Sequence, residues 1–197
     1  SVLLCAGLTL GACKAEKFDA GAYVQATLDA TYHHEYETYA ELTDQTAEEA
    51  EQNILSQEME TIREEYEGMG LEDEELERYN DTINEMYTKT KYEVKEVTET
   101  DDESFIVSLA VEPFEVYTEF YKNYEEKLKE EFAEAETSPD EKMIMDFTID
   151  YLTECSKSAS YGDPVIMDVK VKKDDNGIYY IEESDLNEVE SAAMPKG

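Results

Sequence analysis

From Asp19 onward apolar residues recur at helical spacing. Val24, Leu28, Tyr32, Tyr36, Tyr39 and Leu42 predict one helix with Asp19 as its N-cap. Thr46-Ala-Glu-Glu49 has the form of a capping box, Thr46 capping the helix and Glu49 reaching back to it. Behind it, Leu55, Met59, Ile62, Tyr66 and Met69 predict the face of a second helix, closed by Gly68 and Gly70. Leu76, Tyr79, Ile83, Met86 and Thr90 predict a third. The period then falls to two. Tyr92 and Val94 alternate with charged residues, Thr100 to Glu103 reads as a turn, and Phe105, Val107, Leu109 and Val111 form a strand face ending at Pro113. Helical spacing returns with Tyr117, Tyr121, Tyr124, Leu128 and Phe132. Ser138-Pro-Asp-Glu141 reads as a second capping box with Pro139 at the first helical position, opening a helix marked by Ile144, Phe147, Tyr151 and Cys155. Val165, Met167, Val169 and Val171 alternate again. Asn176-Gly177 signals a type I′ hairpin turn, Ile178 to Ile181 is the return strand, and Ser184 to Val189 forms a short last helix.

Four antiparallel strands in two hairpins make one sheet with a single buried face. Five long amphipathic helices cover that sheet and one another, which is an α+β fold. No linker divides the pattern, so residues 19–190 are read as one domain, followed by a tail at 191–197.

Residues 1–12 are uncharged and mostly apolar or small. A bilayer span needs about 20 apolar residues, and this stretch instead fits the middle and cleavage region of a secretory signal, without its basic start. Leu10-Gly11-Ala12-Cys13 resembles a bacterial lipobox. That resemblance implies that the Cys13 thiol receives diacylglycerol, that cleavage occurs just before it, and that two acyl chains anchor the mature protein. Residues 13–18 then form a short tether, which at ~3.3 Å per extended residue holds the domain within roughly 15–20 Å of the membrane. With Cys13 acylated and Cys5 removed, Cys155 has no disulfide partner and reads as a small buried apolar residue.

Charge sharpens the picture. The chain has 51 acidic and 16 basic residues, a formal net charge of −35. Nucleic acid is excluded as a partner, because neutralising phosphates needs a basic surface. Such a charge also marks disordered chains, but 15 Tyr and 6 Phe at regular spacing can bury a core. Between Glu41 and Glu85, 17 acidic residues stand against Arg63 and Arg78, which reads as the solvated face of amphipathic helices. His33 and His34 are adjacent, so on a helix they diverge by about 100° and cannot chelate together; they read as surface histidines. No metal, cofactor or catalytic residue is expected, since no G-x-S-x-G, H-E-x-x-H, phosphate loop or Cys pair occurs.

The tyrosines are the most unusual feature. Tyr32, Tyr36 and Tyr39 are expected on one helix face, and Tyr117, Tyr121 and Tyr124 on another. In a chain without Trp such faces read first as the boundary of a core, and second as a ligand-pocket wall, since Tyr has an apolar ring and a hydroxyl for the wet end.

Tyr23 to Tyr32, Tyr39 to Thr43, Lys91 to Val94, Val111-Glu-Pro113 and Tyr161-Gly-Asp-Pro164 through to Leu186 are similar to segments of a family of Gram-positive surface lipoproteins of unknown function. Such domains distantly resemble the nuclear-transport-factor-2-like or cystatin-like class, in which helices pack in the concavity of a curved sheet. The expected function is therefore an extracytoplasmic lipoprotein, a non-enzyme anchored through Cys13 that binds a small ligand or an envelope protein. The alternative is a small-molecule isomerase or dehydratase working in a pocket between helices and sheet.

Overall fold

The computed structural model describes residues 18–100 and 103–196, so the lipobox residues Leu10, Gly11, Ala12 and Cys13 lie outside the described residues. The fold is α+β: seven α-helices are described with one four-stranded antiparallel sheet, its strands in the order β1-β2-β3-β4. The strands are β1 (Lys91–Glu99), β2 (Phe105–Glu112), β3 (Val165–Lys173) and β4 (Tyr179–Ile181). Each pairs with its neighbour, so the two expected hairpins join edge to edge through β2 and β3. β1 is an edge strand, and the register shift between Val94 and Glu96 together with its lysines and glutamates discourages further strand pairing.

One sheet face is dry. Phe105, Val107, Leu109 and Val111 of β2 lie on it, with Val169 and Val171 of β3 and Tyr179 and Ile181 of β4. α1 (Ala20–Leu28) and α7 (Glu183–Ala193) cover that face through Tyr23, Val24, Leu28, Val189 and Ala193. At the start of β3 the predicted alternation does not produce burial, because Val165 and Ile166 are 44% and 63% exposed. α7 runs four residues past its expected end and Met194 is buried, so this part of the 191–197 segment packs against the domain.

The remaining helices form a second layer. α2 (Glu37–Leu42) and α3 (Ala47–Glu65) close a cluster around Tyr36, Tyr39, Ala50 and Ile54. α4 (Asp73–Tyr87), α5 (Val116–Glu131) and α6 (Glu141–Ser158) close another around Met86, Phe114, Phe120 and Leu152.

Several local expectations are corrected. The helix starting at Asp19 does not run to Leu42. α1 passes into a π-helical turn at Asp29–His33, and His34 then takes φ 58°, which ends it and redirects the chain into α2. Tyr32, Tyr36 and Tyr39 are therefore not on one face. α3 buries Ala50, Ile54, Glu58 and Ile62, with Leu55 and Met59 beside this stripe. The Thr46–Glu49 capping box is present. At α6, by contrast, Asp140 is the cap, its Oδ1 accepting from the Met143 N–H at 2.9 Å, so Pro139 precedes the helix. In the β3–β4 turn Gly177 takes φ 84° while Asn176 does not adopt positive φ. The turn is held by Asp174 Oδ1, which accepts from the N–H groups of Asn176 and Ile178, and is not of type I′.

Candidate functional site

The face of α3 that points at α4 carries Glu58, Thr61, Ile62 and Glu65, at spacings of three and four residues. α4 answers with Tyr79, Asn80, Ile83, Asn84 and Tyr87. With Tyr117 from α5, Glu190 from α7 and Lys196, these two stripes line a cleft of about 140 Å³. A cavity of about 150 Å³ holds a benzene-sized molecule. A recess of about 320 Å³ shares Tyr117, Glu190 and Lys196 and continues along α7 past Asn187, Ser191 and Met194.

Glu58 stands on the stripe that α3 buries, four residues after Ile54 and four before Ile62, and it is 4% exposed. Its Oε2 accepts from Asn84 Nδ2 at 3.3 Å. With the carboxyl ionised, that bond orients the Asn84 amide, because the reversed amide would set two acceptors against each other. Glu58 Oε1 and Asn84 Oδ1 are both buried and have no hydrogen-bond partner among the described residues. Burial pushes the Glu58 carboxyl up to about 7, against the opposing effect of the Asn84 bond.

Three tyrosines give the cleft its aromatic wall. Burial raises the Tyr79, Tyr87 and Tyr117 hydroxyls above the ordinary phenol value, so all three stay protonated at neutral pH. Tyr87 donates to Glu190 Oε1 at 3.0 Å, and the Tyr79 hydroxyl is hydrogen-bonded to that of Tyr66. The Lys196 ammonium lies 5.7 Å from the Tyr117 ring centre.

Of the six tyrosines proposed from sequence as pocket walls, Tyr117 lines this cleft. Tyr32 lies behind it in the sheet core, its ring 5.2 Å from that of Tyr87. Tyr36 packs with Tyr39 in the α2–α3 cluster, and its hydroxyl meets His34 Nδ1 at 2.9 Å. Burial and the Glu58 charge together push the Tyr36 hydroxyl up to about 12, which places Tyr36 within electrostatic reach of the cleft carboxyl. Tyr121 is 55% exposed, and Tyr124 bonds Thr148 Oγ1 at 2.8 Å between α5 and α6.

The histidines are not free surface groups. His33 Nε2 bonds the Thr90 carbonyl at 3.0 Å, and the Tyr92 hydroxyl bridges Asp29 and His33. His34 is half-buried and its pKa is lowered, chiefly by desolvation. Among the described residues no group of three or more His, Cys, Asp or Glu is placed to hold a metal ion. Cys155 is buried, with its thiol pushed up by burial. Among the described residues no helix is long and apolar enough to cross a membrane.

Sequence reasoning passed over Glu58, Asn84, Tyr79, Tyr87, Glu190 and Lys196 as site residues. One signal was available: Glu58 interrupts the Ile54–Ile62 stripe at the i+4 position. Glu190 and Lys196 reach the cleft only through the packing of α7, which no local pattern encodes.

No protein-family model matches the chain, and no curated protein matches it. Among solved structures, the fold is similar to that of YcdA from Bacillus subtilis subsp. subtilis str. 168, described as a candidate lipoprotein. The TM-score is 0.66 at 16% identity, over 89% of this chain. The chain spans 56% of the length of that protein's chain.

Proposed function

We propose that this protein is an extracytoplasmic lipoprotein, anchored through Cys13, whose folded domain holds a small ligand in the cleft between α3, α4, α5 and α7. The lipobox-like Leu10-Gly11-Ala12-Cys13 and the fold likeness to a candidate lipoprotein support the first half of this reading. One observation carries the second: Glu58 and Asn84, which line an aromatic cleft, each hold a buried acceptor, Glu58 Oε1 and Asn84 Oδ1, with no donor among the described residues. Leaving a buried polar group unpaired costs about 1–3 kcal/mol, and a bound donor removes that cost.

The cleft, rather than the space under the sheet, is the favoured site. Tyr23, Val24, Leu28, Val107 and Leu109 fill the space between α1 and the sheet, each 1% exposed or less. A thermal-shift screen of the full chain against sugars, short peptides, amines and carboxylic acids tests the reading. At least one class is expected to raise Tm, with the rise lost in Glu58→Gln. No response from any class, or an equal response in the variant, would overturn it. Anchoring is tested separately by metabolic labelling with a fatty acid, which is expected to mark the wild-type chain and not Cys13→Ser.

A second reading, an isomerase or dehydratase, is favoured by the Glu58 carboxyl itself, since a carboxyl near 7 suits acid–base work. The two readings separate on turnover. An enzyme would convert the compound that stabilises the protein and lose that conversion in Glu58→Gln, whereas a binding module returns it unchanged.

A further inference from the structure

The buried polar atoms of the cleft-lining residues that lack a partner among the described residues are one-sided. Glu58 Oε1 and Asn84 Oδ1 are both acceptors, both buried and both without a donor among the described residues. A hydroxyl offers one donor hydrogen, a carboxylate none and a quaternary ammonium none, whereas a primary ammonium offers three and brings no lone pair that would itself need a partner. Charge points the same way. Among the described residues three carboxylates line the cleft, Glu58, Glu65 and Glu190, against the one ammonium of Lys196. Tyr79, Tyr87 and Tyr117 also line it, and the π face of a neutral phenol ring attracts cations. The chain's own cation illustrates this affinity, since Lys196 Nζ rests 5.7 Å from the Tyr117 ring centre.

We infer that the cleft binds an organic cation bearing N–H donors, of which a small primary alkylammonium is the simplest, with its ammonium between Glu58 Oε1 and Asn84 Oδ1. This inference rests on the cleft being a ligand site and adds the chemical class of the ligand. The cleft of about 140 Å³ takes the head group and first carbons, and the adjoining recess of about 320 Å³ beside α7 takes the rest of a short tail. Lys196 stands at the junction of the two spaces and acts as a competing internal cation. An anionic ligand would reverse that role, because it would need Lys196 and be repelled by the three carboxylates.

The test is calorimetric titration of the full chain at pH 8 with four probes of similar size: butylammonium, 1-butanol, butyrate and tetramethylammonium. Butylammonium is expected to bind at least tenfold more tightly than the other three. Glu58→Gln, which keeps the size and shape of the side chain but removes its charge and turns one acceptor oxygen into an NH2 donor, is expected to lose tenfold or more while its circular dichroism spectrum stays that of the parent. Lys196→Ala is expected to gain severalfold, and a loss there would contradict the inference. Binding of 1-butanol, butyrate or tetramethylammonium as tight as that of butylammonium overturns the ligand class but leaves the cleft as a ligand site. Undiminished butylammonium binding in Glu58→Gln places the site elsewhere and overturns the inference. Silence from butylammonium overturns the inference whatever else binds; if the broader thermal-shift screen is also silent, the ligand-site reading fails with it.

Discussion

Moving a glutamate carboxyl out of water disfavours its charged form, so burial raises the folded-state pKa of Glu58 from an ordinary 4.5 to about 7. The unfolded chain gives up this proton near 4.5 and the folded chain near 7, so between those values the folded state binds more protons. Stability from this group is therefore complete below about pH 4.5, falls as pH rises through 7, and is level above it. The full difference is on the order of 3 kcal/mol. Glu58→Gln is expected to remove that fall. Urea denaturation should find the variant more stable than the parent at pH 8 and the gap closing towards pH 5; a gap independent of pH would contradict the burial of a titrating carboxyl. At this scale the sequence was partly legible. Glu58 stands on the Ile54–Ile62 stripe, and a charged residue there signals either a register error or a site. Asn84 carries no such mark, because its amide acquires meaning only opposite Glu58 across two helices.

Helix ends decide where side chains point, and they account for most differences between expectation and structure. Two capping signals compete before α6, Ser138 and Asp140. Asp140 caps it, with an oxygen 2.9 Å from the Met143 nitrogen. Asp140→Ala is expected to cost about 1 kcal/mol and Ser138→Ala only a few tenths, measured by chemical denaturation; the reverse order would assign the cap to Ser138. The long first helix fails for another reason. Its apolar spacing continues through Tyr32 and Tyr36, but a π turn absorbs an extra residue and His34 sits at φ 58°. Periodicity cannot register that break, because the residues on both sides remain apolar and buried. The strands were more legible, since the alternation in β2 is buried and half-buried in strict turn. The turn after β3 was legible in place but not in type, because Asp174 rather than paired positive φ angles holds it.

At the scale of the molecule, a dry sheet face under α1 and α7 fixes the base, and a second helical layer opens the cleft above it. The α+β architecture follows from the order of periods along the chain. The cleft does not, because it depends on how α7 returns to meet α4 and α5. The net charge of −35 acts on the whole fold through self-repulsion. Raising salt from 0.01 M to 0.15 M shortens the screening length from about 30 Å to about 8 Å. Tm is expected to rise over that range in scanning calorimetry, and a fall would mean that the surface ion pairs outweigh the repulsion. The same potential draws cations towards the molecule before any specific contact forms. Among the described residues the groups facing Glu58 are Tyr36 before α2, Asn84 of α4, Glu65 on its own helix, and Glu190 and Lys196 across the cleft.

The most direct measurement is a carbon-detected NMR titration of the Glu58 carboxyl in the full chain, with and without saturating butylammonium. The expected midpoint lies near 7 in the free protein. It is expected to move down with the amine present, because a neighbouring positive charge favours the carboxylate. A midpoint near the ordinary 4.5, unmoved by the amine, would mean that Glu58 is solvated and that the cleft offers no unpaired acceptor.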